Sequence, residues 1–386
     1  MSADSGEHDC AAELAGIRDA LAGLGHPWQC GETRLSRLSA DSRRARLGVP
    51  APSADEIAAR AELPALMADS ALRAAGEPVA AVHAPTPHLP AAFDLRDVGG
   101  RSYVTPVKDQ GECGSCSAFG AIATLESTAA YTRRAPGLRL DLSEAHAFFG
   151  HAAARNAILP DGTWPDELLE DFVTLGVAFE DCYPYSDDGS GSLHPRWRDR
   201  SASAEKVVDL SRNPAAIKQH LYAYGPVTAC LVVYDDLFHY TGGVYRHTVE
   251  QTSGGHCVAL IGWDDTAGCW IAKNSWGPDW GEDGFFRIAY GEAYIEDYPD
   301  PRPTTLGCTG VNLRAWLPPQ RALGLFATAH DANGWVYLEN LGWIRLSGGA
   351  HSTTNKLAML TAARASGSPV SPFVEGAELS MIQLAH

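Results

Sequence analysis

Helical and strand-like segments are segregated along this chain, and that segregation narrows its fold more than any other feature. Between Phe93 and Leu317 the pattern is helical first, at Ser117–Tyr131 and Pro165–Leu175. After Pro226 it turns strand-like, at Val227–Tyr234, Gly243–Arg246, His256–Trp263, Cys269–Lys273 and Phe285–Ala289. Helices followed by strands, rather than the two alternating, predict an α+β domain with two lobes. Pro318-Pro319 punctuates its end. Beyond lie expected strands at Leu325–Ala329, Trp335–Leu338 and Trp343–Leu346, a helix over Thr354–Ser366, and strands at Val370–Val374 and Leu379–Leu384. Upstream, Leu14, Ile17, Leu21 and Leu24 recur at helical spacing until Gly25-His26-Pro27 stops them. A second helix is expected after Ser53, with Glu56 completing a capping box, running to about Gly76 with an interruption at Pro64. Pro78 to Pro90, rich in proline, reads as an extended strap. The expected units are therefore 1–85, helical with its strap; 86–317, the main domain; and 318–386, small and β-rich. A length of 386 residues suits two or three domains.

Composition removes several classes of function. The formal net charge of −17 repels phosphate, which argues against a nucleic-acid partner. No apolar run approaches the ~20 residues that cross a bilayer. Met1 to Gly25 has no basic flank and no uninterrupted apolar core, so it does not read as a signal peptide. Either the chain stays in the cytoplasm or a leader has been removed. Abundant alanine, with few lysines among the basic residues, hints at a GC-rich bacterial genome. Nine cysteines are too dilute for a disulfide scaffold, and an odd count leaves at least one thiol unpaired within the chain.

Three segments carry chemistry. In Gln110-Gly-Glu-Cys113-Gly-Ser-Cys116-Ser-Ala-Phe119, a cysteine directly precedes a helical run, where the helix dipole favours thiolate. Read alone, Cys113 and Cys116 could be a redox pair or half of a zinc site. No second Cys-x-x-Cys completes such a site, and the surroundings are not a strand–helix redox unit. The second segment is Gly254-Gly-His256 running into an apolar strand to Trp263, where a lone histidine is more often structural. The third is Lys273-Asn274-Ser-Trp276-Gly with Trp280 and Gly284, a cluster that often only builds turns. Their co-occurrence in this order favours a joint catalytic role.

At these residues the sequence resembles the papain family of cysteine peptidases. Phe93-Asp-Leu-Arg96, Leu142-Ser-Glu, Gly176 to Tyr185 and Gly225-Pro-Val add further similarity, over about 225 residues in family order. The resemblance implies a two-lobed fold, helical on the left and β-barrel-like on the right, with substrate in the cleft between. It implies Cys116 as nucleophile, its thiolate favoured by the helix N-terminus and by His256 as imidazolium. His256 would be general acid and base, and Asn274 would hold its ring. The Gln110 side chain and the Cys116 N–H would form the oxyanion hole, and Trp276 would shield the His–Asn bond. Gly114, Ser115, Ser117, Asp161 and Gly162, together with Trp276, are the expected substrate contacts. The family usually has Trp where Ser117 stands, and its Cys-Asn-Gly-Gly stretch is absent; Asp161-Gly162-Thr163 is the expected replacement. That leaves Cys113 without its usual partner, with Cys182 the nearest candidate.

The resemblance implies neither metal nor organic cofactor. Its members are commonly made as zymogens, so the first ~85 residues are expected to lie in the cleft as an inhibitory prosegment. Pro27-Trp28-Gln-Cys-Gly31, followed by Leu47-Gly48, is similar to the propeptide of the cathepsin B type. The C-terminal unit loosely resembles OB-like folds; Trp335, Tyr337 and Trp343 there are either core or a stacking surface for a glycan or other surface ligand. The resulting expectation is a cysteine endopeptidase acting on peptides or proteins. Its rivals are a same-fold peptide ligase or cyclase, a non-catalytic binding protein using the C-terminal domain, and a Cys113/Cys116 oxidoreductase.

Overall fold

The computed structural model of the chain describes residues 10–53, 55–57, 89–155, 162–328, 330 and 332–385. The first helix runs Cys10–Gly23 and buries Leu14, Ile17 and Leu21, the stripe its spacing predicts. Ser53 and Glu56 form the reciprocal capping box, with Glu56 N donating to Ser53 Oγ at 3.2 Å and Ser53 N to the Glu56 carboxylate at 2.7 Å. Residues 58–88, over which the sequence predicts the rest of a helix to about Gly76 and most of the strap, lie outside the described residues, as does Asp161.

The strands in chain order begin with β1 (Trp28–Cys30), β2 (Ala92–Asp94), β3 (Val177–Ala178), β4 (Ser201–Ala204) and β5 (Val207–Asp209). Next come β6 (Val227–Tyr234), β7 (Tyr240–Tyr245), β8 (Thr252–Asp264), β9 (Cys269–Lys273), β10 (Phe285–Ala289), β11 (Thr305–Cys308) and β12 (Val311–Trp316). The last five are β13 (Ala322–Ala327), β14 (Gly334–Leu338), β15 (Gly342–Leu346), β16 (Val370–Gly376) and β17 (Glu378–Leu384). One sheet has the order β1-β7-β10-β9-β8-β6-β11-β5, with β2 added on β8. Its end strands do not pair, so the right lobe is an open sheet and not a closed barrel. The N-terminal segment supplies the edge strand β1, with Trp28 opposite Gly243.

The second sheet runs β13-β14-β15-β17-β16-β12-β4-β3. The strands after Pro319 therefore share one hydrogen-bonded sheet with β12, β4 and β3 from the preceding region. The Ala350–Ser366 helix packs on β13, β14 and β17. It begins four residues before the expected Thr354, because the polar stretch ahead of Thr354 hides the boundary. The sequence reading also missed the Pro214–Ala223 helix, although Asn213 caps Ala216 N at 3.0 Å and Pro214 occupies its first turn.

The Cys116–Thr132 helix joins the lobes. Every residue from Cys116 to Ala130 is buried, as befits a helix with no polar face left for solvent. Its small residues permit close approach to the right lobe: a Cβ on Gly120 would lie 2.9 Å from Cys257 Sγ and 3.3 Å from the Val258 carbonyl oxygen.

Candidate active site

Cys116 is the first residue of that helix and has no solvent exposure. His256 stands on β8, and Asn274 follows the last residue of β9, which pairs antiparallel with β8. That pairing brings His256 Nε2 to 2.8 Å from Asn274 Oδ1. Asn274 Oδ1 also accepts the Ser275 N–H at 2.8 Å, so it is an acceptor and His256 Nε2 must carry the proton. The other ring nitrogen, Nδ1, is buried without a hydrogen-bond partner among the described residues. Trp276 roofs the pair, its ring 4.6 Å from the imidazole, and is itself held between Phe238 at 5.2 Å and Trp280 at 4.9 Å.

Gln110 is fixed from both ends. Its Oε1 accepts the Ser275 hydroxyl at 2.6 Å, and its backbone N–H donates to the Ser275 carbonyl at 2.9 Å. Its Nε2 is thereby aimed at the carbonyl oxygens of Arg46 and Cys113, at 2.8 and 2.7 Å.

Arg46 belongs to the N-terminal segment, which threads this cleft. The Gly48 N–H donates to Cys116 Sγ at 3.2 Å, and the Gly48 carbonyl accepts Thr163 N–H at 3.0 Å. Val49 N–H donates to the Gly255 carbonyl at 3.2 Å, and the Tyr298 hydroxyl to the Pro50 carbonyl at 2.8 Å. Only glycine fits at position 48, where a Cβ would lie 1.7 Å from the Gly114 carbonyl oxygen. The Arg46 guanidinium reaches Asp109 at 3.6 Å and Glu112 at 3.8 Å; Arg34 pairs with Asp109 and donates to the Trp276 carbonyl. Further out, Trp28 Nε1 donates to the Arg246 carbonyl and Glu13 meets His239 Nε2 at 3.0 Å.

Occlusion sets the electrostatics. Burial pushes the Cys116 thiol well above its ordinary range, against the weaker opposing pull of the Gly48, Cys257 and Ser117 backbone N–H groups. Burial also lowers His256 to about 4, although Asn274 opposes that shift. With the segment in place, burial disfavours the charged forms of both groups, against the thiolate–imidazolium pair expected from the sequence.

The other expected contacts divide. Gly114 and Gly162 pack on Gly48. Ser117 Oγ donates to the Thr163 carbonyl at 2.6 Å, tying the start of the helix to the residues just before the Pro165–Thr174 helix. Ser115 turns its hydroxyl to Tyr185, at 2.7 Å. Cys113 and Cys182 are both free thiols, which corrects the pairing expected for them: Cys182 packs with Ala178 and Trp197, while Cys113 meets Ser115 and Tyr185. Sequence reasoning missed Arg46 and Tyr298, which act through backbone position and tertiary approach. It also missed a buried ionic layer behind Asn274. There Lys273 donates to Thr105 at 3.0 Å, Thr105 to Glu126 at 2.7 Å, and Lys108 to both Glu144 oxygens at 2.9 Å. Burial, partly offset by Glu126 and Glu144, lowers Lys273 to about 8.

The Cys116 thiol, which opens its helix, and the hydrogen-bonded His256–Asn274 pair from β8 and the end of β9 are both buried beside the N-terminal segment. The papain family cysteine protease pattern matches residues 89–299, and the chain belongs to that family. It is 34% identical over 210 residues to "Cathepsin B-like CP3" of Giardia intestinalis, covering 52% of this chain and 69% of that protein. With "Cathepsin B-like CP1" of the same organism it shares 36% over 230 residues, covering 54% and 72%. Its fold matches "proCathepsin B S9 from Trypanosoma congolense" with a TM-score of 0.58 at 20% identity, over 77% of this chain and 97% of that one. These relatives are eukaryotic and lend no support to a bacterial source. The match to a proenzyme agrees with the zymogen-like layout.

Proposed function

We propose that the chain is a latent cysteine endopeptidase in which Cys116, His256 and Asn274 act as a triad with Gln110 as oxyanion donor. Once the cleft opens, His256 Nδ1 takes the Cys116 proton and the thiolate attacks the scissile carbonyl. The oxyanion forms against Gln110 Nε2 and the Cys116 N–H. His256 returns the proton to the leaving amine, then activates water to release the acyl group. Asn274 keeps Nε2 protonated and the ring in plane, and Trp276 keeps water from that bond.

The observation that carries this reading is the placement of the N-terminal segment. Its Arg46 carbonyl takes Gln110 Nε2, and at Sγ it presents the Gly48 N–H, where attack would require a carbonyl carbon. Nucleophile and oxyanion donor are thus both engaged by a strand that offers nothing to cut at that point.

The test is mass spectrometry of wild type and Cys116→Ala after mildly acidic incubation with an epoxide that alkylates active thiols. Loss of about 85 residues with one adduct in wild type, and neither change in the variant, is expected. An adduct on the full-length chain would remove the inhibitory role of the segment. No adduct and no processing would remove the peptidase reading. Cleavage into new termini, with no new peptide bond in the products, separates hydrolysis from ligation.

A further inference from the structure

Cys230 on β6 and Cys257 on β8 stand directly opposite each other in the antiparallel register. Both thiols are free, and both are shielded from solvent. Directly opposed Cα atoms in such a ladder lie about 4.5–5.5 Å apart, inside the ~4.4–6.8 Å window that a disulfide needs. Cys257 immediately follows His256, so strand alternation turns its side chain away from the imidazole's face and toward the Cys116–Thr132 helix. There Gly120, lacking a Cβ, leaves room for Cys257 Sγ. Neither thiol has a part in the chemistry described above.

We propose that Cys230 and Cys257 form a modification site: a dithiol that closes to a cross-strand disulfide, by exchange with a low-molecular-weight disulfide such as oxidised glutathione, and ties β6 to the strand bearing His256. One protein thiolate attacks glutathione disulfide and releases one reduced glutathione. The other then attacks the mixed disulfide and releases the second. The cysteines lose two protons and two electrons, and the glutathione disulfide gains both. Because burial raises the Cys257 thiol well above its ordinary range and excludes reagent, exchange takes place while the strands are pairing; the folded chain then preserves its redox state.

The test is refolding of the full reduced chain in a glutathione redox buffer, followed by denaturation, alkylation without reduction, and tryptic mapping. Cleavage after Arg246 places Cys230 in peptide 219–246 and Cys257 in peptide 247–273. A linked pair of these peptides is expected, with fragment spectra placing the bond at Cys257 and not at Cys269, and with the link lost on reduction. The oxidised protein should also melt a few degrees above the reduced protein, a difference absent from Cys230→Ala. Should refolding yield no soluble protein, the same map of chain made in an oxidising secretory host decides the matter. Alkylation of both Cys230 and Cys257 without reduction, or linkage of Cys257 to Cys116 or Cys269, overturns the proposal.

Discussion

Acidification should open the cleft, with His256 setting how far. In the closed state the imidazole is buried and titrates near 4; released to solvent it returns to an ordinary histidine value of about 6.5. The closed-state pKa is the lower one, so neutral His256 supports closure fully above about 6.5. That support is lost as pH falls toward 4 and changes little below it. From pH 7.5 to pH 5 the open-to-closed ratio should rise roughly thirtyfold, about 2 kcal/mol. The ion pairs of Arg34 and Arg46 with Asp109 also hold the segment, so the histidine's share must be read as a difference between two backgrounds. The assay is amide exchange at Val49, corrected for intrinsic pH dependence, in Cys116→Ala, which cannot cut itself, with and without His256→Gln. The thirtyfold change should appear only where His256 is present. An equal response in both backgrounds would refute the linkage.

Three further outcomes are expected. Gly48→Ala forces a Cβ into the Gly114 carbonyl and should weaken inhibition by the segment by about 1–3 kcal/mol, roughly five- to a hundred-and-fiftyfold, measured as the inhibition constant of segment added in trans. Trp28→Ala removes a side chain buried against Tyr240 and Tyr245 and should cost about 3–5 kcal/mol of segment docking, seen as faster self-processing at neutral pH with kcat of the mature enzyme unaltered. Gln110→Ala should lower kcat of the mature enzyme by roughly 10²–10³ with little change in KM; a fall confined to KM would contradict an oxyanion role.

Much of this arrangement could be read from the chain because its determinants are local. The helix after Ser115, the strand running through His256 and the turn-rich segment after Asn274 each declare themselves by composition and spacing. Arg46 left no such sign: its carbonyl engages Gln110, and any residue has a carbonyl. Gly48 was visible only as part of Leu47-Gly48, since its contact with Gly114 is made 66 positions away. The ionic layer of Lys108, Glu126, Glu144 and Lys273 draws on four separate segments, so no window of sequence contains it. Register across β6 and β8 likewise decides which cysteines meet, and register is a property of pairing that neither strand states alone.

The seam between β12 and β16 dictates an order of events during synthesis. β12 binds β4 on one side as soon as residues 311–316 emerge, but its other side has no partner until the chain has been made through Gly376. At translation rates of about 5–20 residues per second, a nascent peptidase with its cleft already assembled would present a bare strand edge for seconds. Stopping the chain near Pro318 would make that interval permanent. Such a fragment should be recovered in aggregates or bound to chaperones, however well its cleft is formed.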